Sequence, residues 1–166
     1  DGLEFEEALK EAQVKGFAEA DPTLDVGGGD AAHKLTILGS LATSSTLDFD
    51  SLYVEGITPI TKLDINFAKS FGFTIKLLAI FRALENGLDL RVHPTLIPNT
   101  HLLAAVNNEL NAIFVKGDFV GNTMFYGPGA GERPTGSAIV SDIVDLSKGL
   151  LLKEGEPSSY LSIDPE

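Results

Sequence analysis

Between Ala12 and Lys34 the chain reads AQVKGFAEADPTLDVGGGDAAHK, and most of its candidate chemistry is gathered there. Glu19, Asp21, Asp25, Asp30 and Lys34 surround two turn-forming segments, Asp21-Pro22 and Gly27-Gly28-Gly29, and the run then opens into the helix-like Leu35-Thr36-Ile37-Leu38. Carboxylates, one lysine and bare backbone at a helix start are what is needed to grip a small polar substrate and hand it a proton. Asp30 is an N-cap candidate, because its carboxylate can accept from the free amides of a first helical turn. Lys34 follows at i+4 and shares a helix face with it. A neighbouring carboxylate favours the charged ammonium while burial opposes it, so a pocket would tune this lysine toward acid work. Glu19 and Asp25, from the preceding loop, can converge on the same face. A ligand with an ammonium group and a carbonyl or hydroxyl oxygen suits the set: carboxylates hold the ammonium and the lysine protonates the oxygen. The same residues also read as an exposed ion pair beside solvated loop acids, since most such pairs are structural. Three consecutive glycines weaken that second reading, because a loop without side chains admits a ligand or another backbone. The residues by themselves leave both open.

The elements around this run follow from periodicity. Residues 4–15 place Phe5, Ala8, Leu9 and Ala12 on one face and stop at Gly16, which predicts an amphipathic helix with its terminator. A second helix, over 31–43, carries Lys34; residues 48–56 form a loop with a short turn or strand. Residues 60–71 read as a helix with Thr58 and Pro59 at its start and Gly72 at its end. The stretch 73–83 is β-branched and aromatic, and Asn86-Gly87 returns it through 88–94, a hairpin pattern. A short helix over 100–106, with His101 at its start, leads to a second hairpin, 112–116 and 120–126, joined around Gly117-Asp118. The expected fold class is α+β, a two-layer arrangement with an antiparallel or mixed sheet and helices packed on one face.

The segment Gly127-Pro128-Gly129-Ala130-Gly131 precedes a helix over 134–149, with Ile139, Ile143 and Leu146 as its apolar stripe. A glycine-rich loop entering a helix can cradle an anion with backbone amides, although it also serves as a plain flexible turn. It is not a Walker A loop, since Glu132-Arg133 stands where Lys-Ser/Thr is required. At 166 residues and 43% hydrophobic, the chain can bury one sizeable core. A net charge of −12 argues against nucleic acid or anionic membrane as a partner. The absence of cysteine removes disulfides and thiolate chemistry and fits a cytoplasmic or plastid protein. No run is apolar enough to span a bilayer and no signal peptide is visible. His33, His93 and His101 lack metal-ligand spacing and read as non-ligands, so no metal site is expected.

The Ala12–Lys34 run resembles the diagnostic motif of the homoserine dehydrogenase family. Ala12, Gly16-Phe17-Ala18, Asp21-Pro22, Asp25-Val26, Gly28, Asp30 and Lys34 stand at the family's spacing, while Gly27 and Gly29 replace larger residues. Tyr53-Val54-Glu55-Gly56-Ile57, Ile75-Lys76-Leu77-Leu78, Arg91-Val92-His93-Pro94 and Gly127–Gly131 extend the resemblance over nearly the whole chain. It implies a reduction of L-aspartate 4-semialdehyde to L-homoserine with NADP or NAD, in the aspartate pathway to threonine, methionine and isoleucine. By motif position, Lys34 resembles the lysine that donates a proton to the aldehyde oxygen, and Glu19 the carboxylate that binds the substrate ammonium. Asp30 resembles the aspartate that contacts substrate and orients the lysine, and Asp25 a supporting acid. Gly16 and Gly131 resemble glycines whose backbone lies near the cofactor, and Gly16 reads equally well as a helix C′ residue. The resemblance also implies a homodimer or tetramer, with the sheet as the subunit contact, and a cytoplasmic protein.

The chain opens at Asp1 and holds no strand followed by G-x-G-x-x-G, the nucleotide-binding fingerprint. The expected organisation is a substrate-binding and dimerisation domain over 1–126, a loop and helix over 127–149 that return to a nucleotide-binding domain, and a tail or linker over 150–166, with Ser158–Leu161 leading toward a regulatory domain. On that reading this chain alone is an incomplete enzyme. Two alternatives are an oligomerisation or scaffold module derived from the enzyme, and another two-domain oxidoreductase. The spacing of Glu19, Asp30 and Lys34 argues against the latter.

Overall fold

The computed structural model describes residues 3–152, which fall into two compact units, 3–97 and 98–152. The suggested linker Ser158–Leu161 lies outside the described residues. The first unit opens with α1 (Phe5–Val14), which a capping box closes: Glu4 and Glu7 each take the other's backbone amide. Lys15 then caps the C-terminus and Gly16, at φ +73°, is the C′ residue. The Gly16 amide donates to the Gln13 carbonyl at 3.1 Å and the Phe17 amide to Ala12 at 2.8 Å. These are the two bonds of a Schellman motif, so the terminator reading of Gly16 holds.

Two short turns later come α2 (Thr23–Gly27) and α3 (Gly29–Thr43), separated by the single residue Gly28. A 3₁₀ turn, Phe49–Ser51, precedes β1 (Tyr53–Val54), the short strand expected between 48 and 56. Helix α4 (Lys62–Ser70) starts later than the Thr58-Pro59 signal implied. Thr61 is its cap, because Thr61 and Asp64 form a reciprocal capping box with the two backbone amides. The hairpin follows as β2 (Phe73–Leu84) and β3 (Gly87–Pro98), turned by Glu85 and Asn86. Asn86 lacks the positive φ of the turn that an Asn-Gly pair usually makes, so the hairpin forms without that turn type.

The strand order is β1-β3-β2, with β1 parallel to β3 through Tyr53 opposite Arg91 and Val54 opposite Val92. Both α3 and α4 pack against β2. Ala32, Leu35, Leu52 and Val92 make the buried centre, with Leu77, Phe81 and Leu90 around it. At Gly39 the helix comes so near the sheet that a methyl would stand 3.2 Å from the Phe81 ring.

In the second unit the short helix expected over 100–106 is a 3₁₀ turn, Leu102–Ala105. His101 does start it, its Nδ1 accepting from the Leu103 amide at 3.2 Å. Strands β4 (Leu110–Gly117) and β5 (Gly121–Pro128) pair antiparallel from Leu110 opposite Pro128 to Gly117 opposite Gly121. The four long strands, with the short β1, therefore form two sheets, one of three strands and one of two, where a single sheet was expected. Hairpin patterning specifies which neighbours pair and says nothing about lateral joining, which depends on contacts distant in sequence. Helix α5 (Glu132–Leu152) closes the unit, with Ile139, Val140, Ile143 and Val144 exposed. The α+β class stands, and no helix among the described residues is long and apolar enough to cross a membrane.

Candidate active site

Gly28 is where the local sequence turns into geometry. At φ +83° it is in the left-handed region and is both the C-cap of α2 and the N-cap of α3. Its carbonyl accepts from the Ala32 amide at 3.0 Å, the first hydrogen bond of α3. Asp30 is therefore not the N-cap. It lies in the first turn, where a negative charge is favoured by the helix dipole. The i+4 relation gives what the spacing predicted: the Lys34 ammonium donates to Asp30 Oδ2 at 2.6 Å. Both side chains are largely exposed, at 64% and 47% of their free areas. At that exposure the pair adds only about 0.3–0.5 kcal/mol to the helix, so its stabilising role is small.

On the other side of the elbow, Asp25 lies in α2 and its Oδ2 accepts from the Glu19 amide at 3.1 Å. The Glu19 and Ala20 carbonyls accept from the side-chain amide of Gln13 on α1, at 2.9 and 3.3 Å. Glu19 is thus held by its backbone from two directions, and its own carboxylate has no partner among the described residues. Upstream, Asp21 accepts from both the hydroxyl and the amide of Thr23, at 2.6 and 3.1 Å. Those bonds, the hydroxyl's first, hold the Asp21 carboxyl below its usual range.

The structure brings the predicted residues together in two pairs, Glu19 with Asp25 and Asp30 with Lys34, flanking one glycine. Gly16 is also in this unit, and no heavy atom stands within 4 Å of where its Cβ would be. Gly131, at φ +108°, belongs to the second unit, immediately ahead of α5, and its carbonyl accepts from Thr135 at 3.1 Å. A groove of about 470 Å³ in the first unit lies elsewhere, lined by Phe67, Phe71, Phe73, Ile75 and Leu96 among others. It is apolar, contains none of the predicted site residues and offers an ammonium or an alkoxide little to bind. Acid and base side chains on either side of one glycine, and not concavity, mark the candidate site.

The segment from β1 onward adds residues that spacing did not single out. The Tyr53 hydroxyl donates to Glu55 at 2.8 Å, and that bond with the neighbouring charge pushes the Tyr53 hydroxyl's pKa up. The Ile57 amide donates to the Val26 carbonyl at 2.8 Å, and the Glu55 amide to Val92 at 2.7 Å. The signal available was the glycine in Glu55-Gly56-Ile57, which has a backbone neighbour no local pattern reveals. His33 stacks on Phe49 with ring centroids 4.5 Å apart, a packing role. Among the described residues no three His, Asp or Glu side chains are grouped as a metal ion would require.

The family model described as homoserine dehydrogenase matches residues 1–144. A homoserine dehydrogenase of Pseudomonas aeruginosa is 48% identical over 165 residues, covering 99% of this chain and 38% of that protein. One from Bacillus subtilis is 51% identical over 148 residues, covering 89% of this chain and 34% of the relative. The crystal structure of a Thiobacillus denitrificans homoserine dehydrogenase superposes with a TM-score of 0.87 at 50% identity, covering 95% of this chain and 37% of that one. The chain spans about 38% of the length of the first of these curated relatives. The motif, the fold and these likenesses agree, and the chain belongs to the homoserine dehydrogenase family.

Proposed function

We propose that this chain is the substrate-binding and proton-donating part of a homoserine dehydrogenase, interconverting L-aspartate 4-semialdehyde and L-homoserine. The observation that carries the reading is the Asp30–Lys34 pair in the first turns of α3, with Asp25 and Glu19 on the other side of Gly28 along the chain. In the reducing direction the Lys34 ammonium gives a proton to the carbonyl oxygen as it becomes an alkoxide. In the oxidising direction the neutral amine takes the hydroxyl proton back. Asp30 orients the ammonium through its 2.6 Å hydrogen bond, so that the proton is aimed from one place. Glu19 has an unpaired carboxylate and a doubly held backbone, which suits it to bind the substrate ammonium in one place. Asp25 keeps that backbone in position.

The open space over Gly16, where any other residue would present a side chain, fits the close approach of a planar ring. Gly16 and Gly131 are the residues of this chain that would lie against NAD or NADP. A nicotinamide nucleotide, when bound, supplies or accepts the hydride at the substrate carbon. In the whole protein, residues 1–126 would bind substrate and contact a second subunit in a homodimer or tetramer. Residues 127–149 would return to a nucleotide-binding domain, and 150–166 would be a linker. The product would feed threonine, methionine and isoleucine synthesis, in the cytoplasm. The scaffold alternative is not favoured, because relatives 48–51% identical over this region bear the enzyme's name.

The test is Lys34→Ala in the full-length protein. Loss of the proton donor lowers kcat by roughly 10²-fold or more and leaves the KM for L-homoserine within a few fold. An unchanged kcat with a raised KM would make Lys34 a binding residue instead.

A further inference from the structure

Gly56 has an ordinary backbone, without a positive φ, so conformational freedom does not explain its glycine. Space does. A methyl built on Gly56 would stand against the carbonyl oxygen of Val26 and 2.7 Å from Gly27 Cα, all of it backbone. Backbone at that distance cannot rotate away as a side chain would; the last turn of α2 itself must shift. One residue later, the Ile57 amide bonds that same Val26 carbonyl at 2.8 Å. One residue earlier, the Glu55 amide is bonded to Val92 of β3 at 2.7 Å. From the other side, a methyl on Gly28 would meet Val92 Cγ1 at 3.2 Å, Val54 Cγ1 at 3.3 Å and the Glu55 carbonyl oxygen at 3.4 Å. The elbow between α2 and α3 is therefore seated on the end of β1 through two glycines and one hydrogen bond. Val92, wholly buried, is the floor.

We infer that Gly56 is a positioning residue for the substrate site. It acts through Val26 and Gly27, setting where Asp25, and with it Glu19, stands relative to Asp30 and Lys34. Asp25 immediately precedes Val26 and holds the Glu19 amide, whereas Asp30 and Lys34 ride on α3, whose Leu35 and Ala32 are fixed in the core. A push at Gly56 shifts the first pair and leaves the second in place. This inference rests on the function proposed above.

The experiment is Gly56→Ala in the full-length protein, read by steady-state kinetics, thermal unfolding and hydrogen–deuterium exchange of the peptides spanning 17–26 and 55–58. The expected result is a rise in the KM for L-homoserine and a fall in kcat of about 10-fold each, since an ångström of misplacement costs that much or more. The KM for the nucleotide stays within twofold, Tm stays within a few degrees, and exchange over 17–26 quickens. Kinetics and exchange equal to the parent's overturn the inference. So does a loss that affects both KM values alike and tracks the loss of folded protein. Should Gly56→Ala fail to fold, Gly28→Ala presses the same elbow from the strand side and takes the same readouts. If the parent itself does not oxidise L-homoserine, the functional reading fails separately. Exchange over 17–26 then decides the elbow by itself: quickened exchange supports it and unchanged exchange overturns it.

Discussion

Neighbouring residues on α3 divide the work. Lys34 faces outward, 64% exposed, while Leu35 beside it is 5% exposed in the core. That step of one residue turns about 100° around a helix, so the apolar contact of Leu35 sets the direction in which Lys34 points. Glu19 is fixed differently, through backbone atoms only, which leaves its carboxylate available. Glu19→Gln keeps the shape and removes the charge that would face a substrate ammonium. It is expected to raise the KM for L-homoserine about 10-fold with little change in kcat, because the ammonium is bound alike in ground and transition states. Steady-state kinetics on the full-length protein checks this, and an unchanged KM refutes the assignment. The i+4 spacing of Asp30 and Lys34 was legible in sequence because helical geometry is local. Asp30's failure to cap was not, since that depended on Gly28 taking the left-handed conformation against Val54 and Val92.

At the scale of elements, helix ends were read with mixed success for a physical reason. The end of α1 at Gly16 was legible, because a Schellman terminus is built from residues five apart. The start of α4 was placed two residues early, at residue 60 on the signal of Thr58 and Pro59, although Thr61-x-x-Asp64 carries the capping signature. That box makes a pH prediction. Hydrogen bonds from the Thr61 hydroxyl, then its amide, hold the Asp64 carboxyl below its ordinary value of 3.8. A depressed folded pKa contributes stability that is fully present above pH 3.8 and is lost as pH falls through the lower folded value. Asp64→Ala is therefore expected to lower Tm by about 2–4 °C near neutrality. The difference from the parent should shrink as the pH is taken below 3.8, and a difference that stays constant to pH 2 would exclude the carboxylate as its origin. Thermal melts followed by circular dichroism measure both.

Across the whole molecule, burial is uneven. Among the described residues every buried apolar side chain (Ala32, Leu35, Leu52, Ala68, Val92 and Ile97) falls within 3–97. The unit over 98–152 instead exposes Ile113, Val115, Phe119, Val120, Phe125 and Tyr126 on or near its hairpin. The stability of the first unit thus rests on a few contacts between α3 and the three-stranded sheet. Leu35→Ala removes the largest helical contribution to that cluster and is expected to cost about 2–4 kcal/mol, as buried leucine truncations do. Urea denaturation measures it; a cost below about 1 kcal/mol would mean the core lies elsewhere.

By itself the sequence determined the class of the fold, the hairpins, the helix that carries Lys34 and the family. Each of these is written in local spacing, in turn residues or in a motif compressed into 23 residues, Ala12 to Lys34. Tertiary structure alone decided that the strands form two sheets, that Gly28 rather than Asp30 opens α3, and that Gly56 lies against the backbone of Val26 and Gly27. Val26 and Gly56 are thirty residues apart, and a glycine required by a neighbour that distant looks, along the chain, like any other turn.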